Sequence, residues 1–257
     1  MSAPAPTTDA ALAADLAADA GRALLALRAE RGHDDGRALK DAGDQASHDL
    51  LVRRLAAERP DDVVLSEEGA DDPARLSADR VWIVDPLDGT REFSEEGRSD
   101  WAVHVALWER TSDDGGELIV GAVALPALDG LVLTSDPAPA RDAAVGDPPR
   151  VTVSRTRPPA EAEAVAAALG AVLVPMGSAG AKVCAVVRGE VDAYVHSGGQ
   201  YEWDSAAPVA VARAAGLVVT RLDGSEPVYN REGARLDDLV VCHPDLADAV
   251  REALDRI

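Results

Sequence analysis

The sequence predicts an α/β protein whose N-terminal part is of α+β type, on three observations. Up to about residue 134, helical patterns come first and short apolar strand-like runs follow. From residue 151 onward, strands and helices alternate, as in a layered α/β unit. Between them, SDPAPARDAAVGDPPR at 135–150 carries four prolines and no apolar periodicity, which marks a junction. Two subdomains, 1–140 and 150–257, are therefore expected to share a cleft.

The elements follow in order. Leu12, Leu16, Leu24 and Leu27 recur at helical spacing from about Thr8 to Gly32, with Asp9, Asp15 and Asp19 left for a solvated face. A second helix is expected over Gln45 to Glu58, where Leu50, Leu51 and Leu55 share a side and Pro60 follows. The runs VVLS (63–66), VWIV (81–84), WAVHVALW (101–108), ELIVGAVAL (117–125) and LVLT (131–134) read as strands. Alternation in the third puts Trp101, Val103, Val105 and Leu107 on one face and His104 on the other, as a structural residue rather than a ligand. In the second half, VTVS precedes a helix from Pro159 to Leu169, then strand AVLVP and a helix around AKVCAVVRG. Strand DAYVH, a helix from Asp204 to Ala215 stopped by Gly216, LVVTRL, DLVVC and a last helix from Pro244 complete the chain.

Composition narrows the function. The 257 residues carry 25 Lys+Arg against 46 Asp+Glu, a formal net charge of −21, which opposes binding of a nucleic-acid polymer. With 47% hydrophobic and 28% charged residues, the chain can bury a sizeable core. No run approaches the roughly 20 apolar residues of a membrane span, and MSAPAPTTDA lacks the pattern of a secretory signal, so a cytoplasmic location is expected. Cys184 and Cys242 each sit in an apolar run and are expected to be buried and reduced.

The chemistry concentrates in VWIVDPLDGTREF, 81–93. An apolar strand ends in Asp85, and Pro86 with Gly89 implies a tight turn that returns Asp88 to the same side. Two carboxylates so placed can share or bridge hard cations, with the Leu87 carbonyl as a further oxygen. A helix starting beyond Gly89 offers the Gly89 and Thr90 amides to a phosphate. Leu-Asp-Gly also occurs at 128–130 and 222–224, but without an acid three residues upstream, so Asp129 and Asp223 read as turn residues. Glu67 and Glu68 in SEEG also emerge from a strand end. Asp204 in WDSAAP opens a helix, where an acid serves either as N-cap or as a metal oxygen.

The set SEEG, WIVDPLDGT and WDSAAP, in this order, resembles the inositol monophosphatase superfamily of Mg²⁺-dependent, lithium-sensitive phosphatases. VWIVDPLDGTREFSEEGRSDWAVHVALW, GSAGAKVCAVVRGEVDAYVHSGGQYEWDSAAP and RLDGSEPVYN are similar to its bacterial CysQ-type branch, which hydrolyses 3′-phosphoadenosine 5′-phosphate. The resemblance implies a layered α-β-α-β-α sandwich, two to three Mg²⁺ ions per site and direct hydrolysis of a small phosphorylated metabolite; dimers are common in the superfamily. It also implies roles. Glu67, Asp85 and the Leu87 carbonyl would hold one metal, and Asp85, Asp88 and Asp204 a second. Glu67 and Thr90 would orient the attacking water, and Asp44, 23 residues before Glu67, would serve a third metal or take a proton. Glu68 would stand behind these ligands. Gly89 and Thr90 would bind phosphate. Gly177-Ser178-Ala179-Gly180-Ala181-Lys182 lies near a GSSLK-like element, one residue longer, which makes Ser178 and Lys182 candidates for substrate contact; Lys182 reads otherwise as a surface lysine. His196 falls where inositol-specific members carry an acid, which makes inositol phosphate a poorer substrate. Asp41-Ala42-Gly43-Asp44 departs from the family's Thr-x-x-Asp at its first position.

Competing readings stay open at this level. Related members use the same metal core on fructose 1,6-bisphosphate or inositol 1-phosphate. The DxDGT motif of haloacid-dehalogenase phosphatases resembles DPLDGT, but Asp85 and Asp88 are three apart rather than two. An acidic cation-binding module without catalysis would explain the charge but not Thr90 beside Gly89 or an acid as distant as Asp204. The carboxylates Asp44, Glu67, Asp85, Asp88 and Asp204 carry −5 of the −21, so cations would reverse the local sign and admit a small phosphate ester.

Overall fold

A computed structural model describes residues 7–112, 115–140 and 143–257. Helix α1 (Asp9–Arg31) is capped by the Thr8 hydroxyl, which accepts from Ala11 N at 3.2 Å, and stops at Gly32. Helix α2 (Gly36–Glu58) starts nine residues earlier than the apolar pattern suggests. Asp35 caps it through Ala38 N at 3.0 Å, and burial of Leu39 and Gly43 stabilises its first turns. Asp44 therefore stands inside a helix, on one face with Ser47 and His48.

Five strands form the first sheet in the order β1 (Val63–Ser66), β2 (Arg80–Asp88), β3 (Ala102–Ser112), β4 (Gly115–Leu125), β5 (Leu131–Thr134). β1 and β2 are parallel and the other pairs antiparallel. The short helix α3 (Thr90–Ser94) follows β2. The remaining elements are β6 (Arg150–Ser154), α4 (Ala160–Leu169), β7 (Val172–Met176), α5 (Ala179–Val187), β8 (Ala193–His196) and β9 (Gln200–Tyr201), then α6 (Ala206–Ala214), β10 (Val218–Thr220), β11 (Arg235–Leu236), β12 (Leu239–Cys242) and α7 (Ala247–Leu254). The second sheet has the order β10-β12-β8-β6-β7, and β9 pairs with β11.

Three buried clusters stack the layers. Leu12, Leu16, Leu24 and Leu51 pack on Trp82, Val84, Val103 and Val105 of the first sheet. The opposite face, with Val81, Ile83 and Ala106, packs on Val183 and Val186 of α5 and Val209 of α6, which also cover Tyr194 and Val241 of the second sheet. Val165 and Val250 of α4 and α7 close the far side over Val151 and Val195. The result is the expected α-β-α-β-α sandwich, because the central strands β2, β3, β8 and β12 are buried on both faces. Both cysteines are buried and free, and burial pushes each thiol up to about 12. Among the described residues no helix is long and apolar enough to cross a membrane.

Candidate active site

β2 does not end at Val84. It continues to Asp88 through an irregularity between Asp85, opposite His104, and Asp88, opposite Ala102. This bulge, rather than a turn at Pro86, brings both acids to one side. β1 stops pairing at Ser66 opposite Val84, so Pro86 breaks no pairing with β1. Gly89 then adopts φ +83, and a Cβ there would meet Ser178, Asp100 and Trp101.

Carboxylate oxygens of Asp85, Asp88 and Asp204 lie within 4.8 Å of one another. A hard cation with oxygen ligands at about 2.0–2.6 Å spans such a gap, so the donor set fits a divalent metal. Asp204 is not the cap of α6. Ser205 holds that position, and Asp204 ends a one-turn 3₁₀ segment, Glu202–Asp204, its carboxylate accepting from Tyr201 N at 2.6 Å. Glu67 follows β1 beside Asp85. Thr90 donates to the Leu87 carbonyl at 3.2 Å and contacts Asp44 from the other side.

Supporting side chains surround this cluster, and most escaped the sequence patterns. Ser47 Oγ donates to the Pro86 carbonyl at 2.6 Å, and His48 Nδ1 meets Ser66 Oγ at 2.9 Å, so one face of α2 braces both strand ends. Asp88 sits at the start of α5, taking Gly180 N at 2.6 Å, Ala179 N at 3.2 Å and the Ser178 hydroxyl. Ser178, a candidate for substrate contact, lines the cleft, and its hydroxyl donates to Asp88 and caps Ala181 N. His104 is fully buried, its Nδ1 3.0 Å from the Trp203 carbonyl and its Nε2 3.3 Å from Asp88 Oδ2. The expected structural residue thus links the strand acids to the turn bearing Asp204. A Cβ on Gly180 would sit 2.0 Å from His104 Nε2, so only glycine lets α5 approach this closely. We expect His104→Ala to weaken divalent-cation binding about 10–100-fold by titration calorimetry, as loss of a side chain supporting a ligand typically does; unchanged affinity would free Asp88 of this dependence.

The electrostatics separate the acids. Burial raises Asp85 well above the usual carboxylate range, reinforced by Glu67, Asp88 and Asp204. Burial alone would raise Asp88 too, but His104, Ser178 and Gly180 outweigh it and hold the group at about 2. Glu67 is open to solvent at its end, yet lost hydration and neighbouring Asp204, Asp88 and Glu68 push it up to about 7. Burial, with Glu68 and Asp41, brings Asp44 to about 7, and burial, with Asp88, brings Asp204 to about 6.

Raised carboxylates favour the fold when protonated, so their contribution is complete below the unfolded values near 4 and is lost as pH climbs through 6–7. The chelator-treated protein should therefore melt lower at pH 8 than at pH 5.5, and a divalent cation at pH 8 should restore it; a flat chelator profile would disprove the uncompensated cluster.

The acids open into a cleft of about 680 Å³ whose lining includes Asp88, Gly89, Asp204, Lys182 and His196. Lys182 is not on the surface: it is buried, donates to the Gly177 carbonyl and lies 5.2 Å from the Tyr194 ring centroid. Burial lowers both Lys182 and His196 from their ordinary values. The cleft wall also carries Arg155, paired with Glu92 and Glu95, and Arg157 and Arg235, whose guanidiniums make no ion pair or hydrogen bond among the described residues. The sequence signal for Arg157 and Arg235 was absent, since neither belongs to a motif.

The sequence that builds this sandwich and its acids matches the inositol monophosphatase family over residues 7–255. The chain belongs to that family, a metal-dependent one. It is 55% identical to a 3′-phosphoadenosine 5′-phosphate phosphatase of Mycobacterium leprae over 249 residues, covering 95% of this chain and 92% of that protein. It is 34% identical to the 3′(2′),5′-bisphosphate nucleotidase CysQ of Escherichia coli K12, covering 73% and 78%. The crystal structure of CysQ from Bacteroides thetaiotaomicron superposes with a TM-score of 0.75 at 27% identity, covering 90% of this chain and 95% of that one.

Proposed function

We propose that this chain is a Mg²⁺-dependent phosphomonoesterase that hydrolyses 3′-phosphoadenosine 5′-phosphate to AMP and phosphate. The observation that carries the reading is a single cleft joining an acidic cluster to arginines without acidic partners. A substrate with two phosphates uses both: one at the metal end, the other against Arg157 and Arg235. The M. leprae relative's activity supports the same substrate. In this reading the cleft lies between subdomains 1–140 and 150–257.

Glu67, Asp85 and the Leu87 carbonyl would hold one cation, and Asp85, Asp88 and Asp204 a second, with Asp44 near a third. All donors are oxygen, which suits a hard cation such as Mg²⁺. When bound, the cations supply Lewis-acid polarisation of the phosphoryl group and acidify water. The protein's own part is positional. The Thr90 hydroxyl and Glu67 orient the attacking water, Asp44 accepts its proton, and the Gly89 and Thr90 amides face the phosphoryl oxygens. Lys182 and His196 line the route to the second phosphate and the nucleoside.

The test compares kcat/KM for 3′-phosphoadenosine 5′-phosphate, fructose 1,6-bisphosphate and inositol 1-phosphate, with and without Mg²⁺ and Li⁺. The nucleotide should be preferred and the activity Mg²⁺-dependent. Removing both cationic partners (Arg157→Ala with Arg235→Ala) should raise KM for the nucleotide bisphosphate roughly 10-fold or more, as loss of charge-assisted contacts does, and leave inositol 1-phosphate unaffected. Equal losses on both substrates would refute the second-phosphate role.

A further inference from the structure

Asp204 reaches the acids of β2 from a part of the chain more than a hundred residues away, so something must fix its distance from them. A polar network with three buried members, Arg75, Glu202 and Asn230, stands behind it. Glu202, with no solvent exposure, accepts Asn230 N and Arg231 N, each at 2.7 Å, one on each carboxylate oxygen. The Asn230 side chain accepts from Arg75 Nη1 at 2.9 Å and donates to the Arg75 carbonyl at 3.0 Å. Arg75, also buried, gives Nη2 to the Arg231 carbonyl at 2.9 Å and its Nε to Asp71 at 2.6 Å. Asn230 holds φ +59, a left-handed conformation that asparagine tolerates and that turns its backbone N–H onto Glu202.

The connectivity is what matters. Arg75 lies on the segment Pro73–Ser77, between Glu67 and Asp85, while Glu202 opens the 3₁₀ turn that ends in Asp204. Asn230 and Arg231 join the two. The side chains of Arg75, Asn230 and Glu202 are all hydrogen-bonded, and buried groups paired in a network are rigid in a way a single contact is not.

We propose that Arg75, Asn230 and Glu202 form a positioning strap that sets the spacing between Asp204 and the Asp85–Asp88 pair, and thereby the affinity for the cation held there. The inference rests on the metal site of the proposed function and assigns to three residues outside it a share of its affinity. None of the three contacts the reacting atoms, so they are positioning residues.

The experiment is Mn²⁺ titration calorimetry on the full chain, alongside melting in chelator. Asn230→Gly keeps the positive φ and deletes the amide bonded to Arg75; Glu202→Gln keeps the shape and sets a donor against backbone N–H groups. Val165→Ala, in the buried cluster under α4, controls for loss of stability alone. The strap variants should bind Mn²⁺ about 10–100-fold more weakly, while Val165→Ala binds as wild type despite a lower melting temperature. Wild-type affinity in Asn230→Gly, which perturbs the fold least, or an equal loss in Val165→Ala, would overturn the strap. If wild type binds Mn²⁺ no better than Asp85→Asn, the metal centre itself fails and the strap with it.

Discussion

Asp85→Asn is expected to lower kcat/KM for the nucleotide bisphosphate by about 10³-fold or more, equivalent to roughly 4 kcal/mol of transition-state stabilisation. The substitution is close to isosteric, and its side-chain oxygen can still accept from Leu87 N, now at 3.0 Å. It removes a charge that burial and three neighbouring acids disfavour, so the chelator-treated variant should melt no lower than wild type at pH 8. Loss of activity with retained or increased stability is the signature of a ligand rather than of a core residue. Asp129→Asn and Asp223→Asn are the controls. Asp129 turns the chain after β4 with φ +53, and Asp223 accepts from Ser225 N at an exposed turn. Both should stay within a factor of a few of wild type; if all three variants behave alike, the argument from position is wrong.

Thr90→Ala should lower the rate by roughly 10²–10⁴-fold, the range of groups that position or transfer a proton. The Thr90 hydroxyl donates to the Leu87 carbonyl and meets Asp44 on its other side, so both neighbours fix its direction and one oxygen lone pair is left to receive a water. Thr90→Ser keeps the hydroxyl and should recover most of the activity. An unchanged rate in Thr90→Ala would remove it from the mechanism.

The layers and strands could be read from the sequence because they rest on local patterns. VVLS and LVLT stand as strands where their apolar runs lie, at Val63–Ser66 and Leu131–Thr134. The first turns of α2 escaped because GRALKDAG has little periodicity of its own; that stretch is helical through the Asp35 cap and the burial of Leu39. The acids Asp85 and Asp88 were legible as carboxylates leaving an apolar strand, and the structure brings them together with Asp204. Their supports were not, because Ser47 with the Pro86 carbonyl, His104 with the Trp203 carbonyl and Arg75 with Asn230 are single contacts between positions tens to over a hundred residues apart. His104 alone left a trace, as the one polar side chain in an apolar alternation.

The middle layer ties the site to the rest of the molecule. α5 begins at the residues that hold Asp88, α6 begins just after Asp204, and both are enclosed between the two sheets. A cation gathered by these acids would therefore stabilise the central helices of the sandwich, by an amount that grows with its free concentration over its dissociation constant. Scarcity of that cation would then leave more than an idle enzyme: it would leave a chain that opens more often and that quality-control proteases clear sooner.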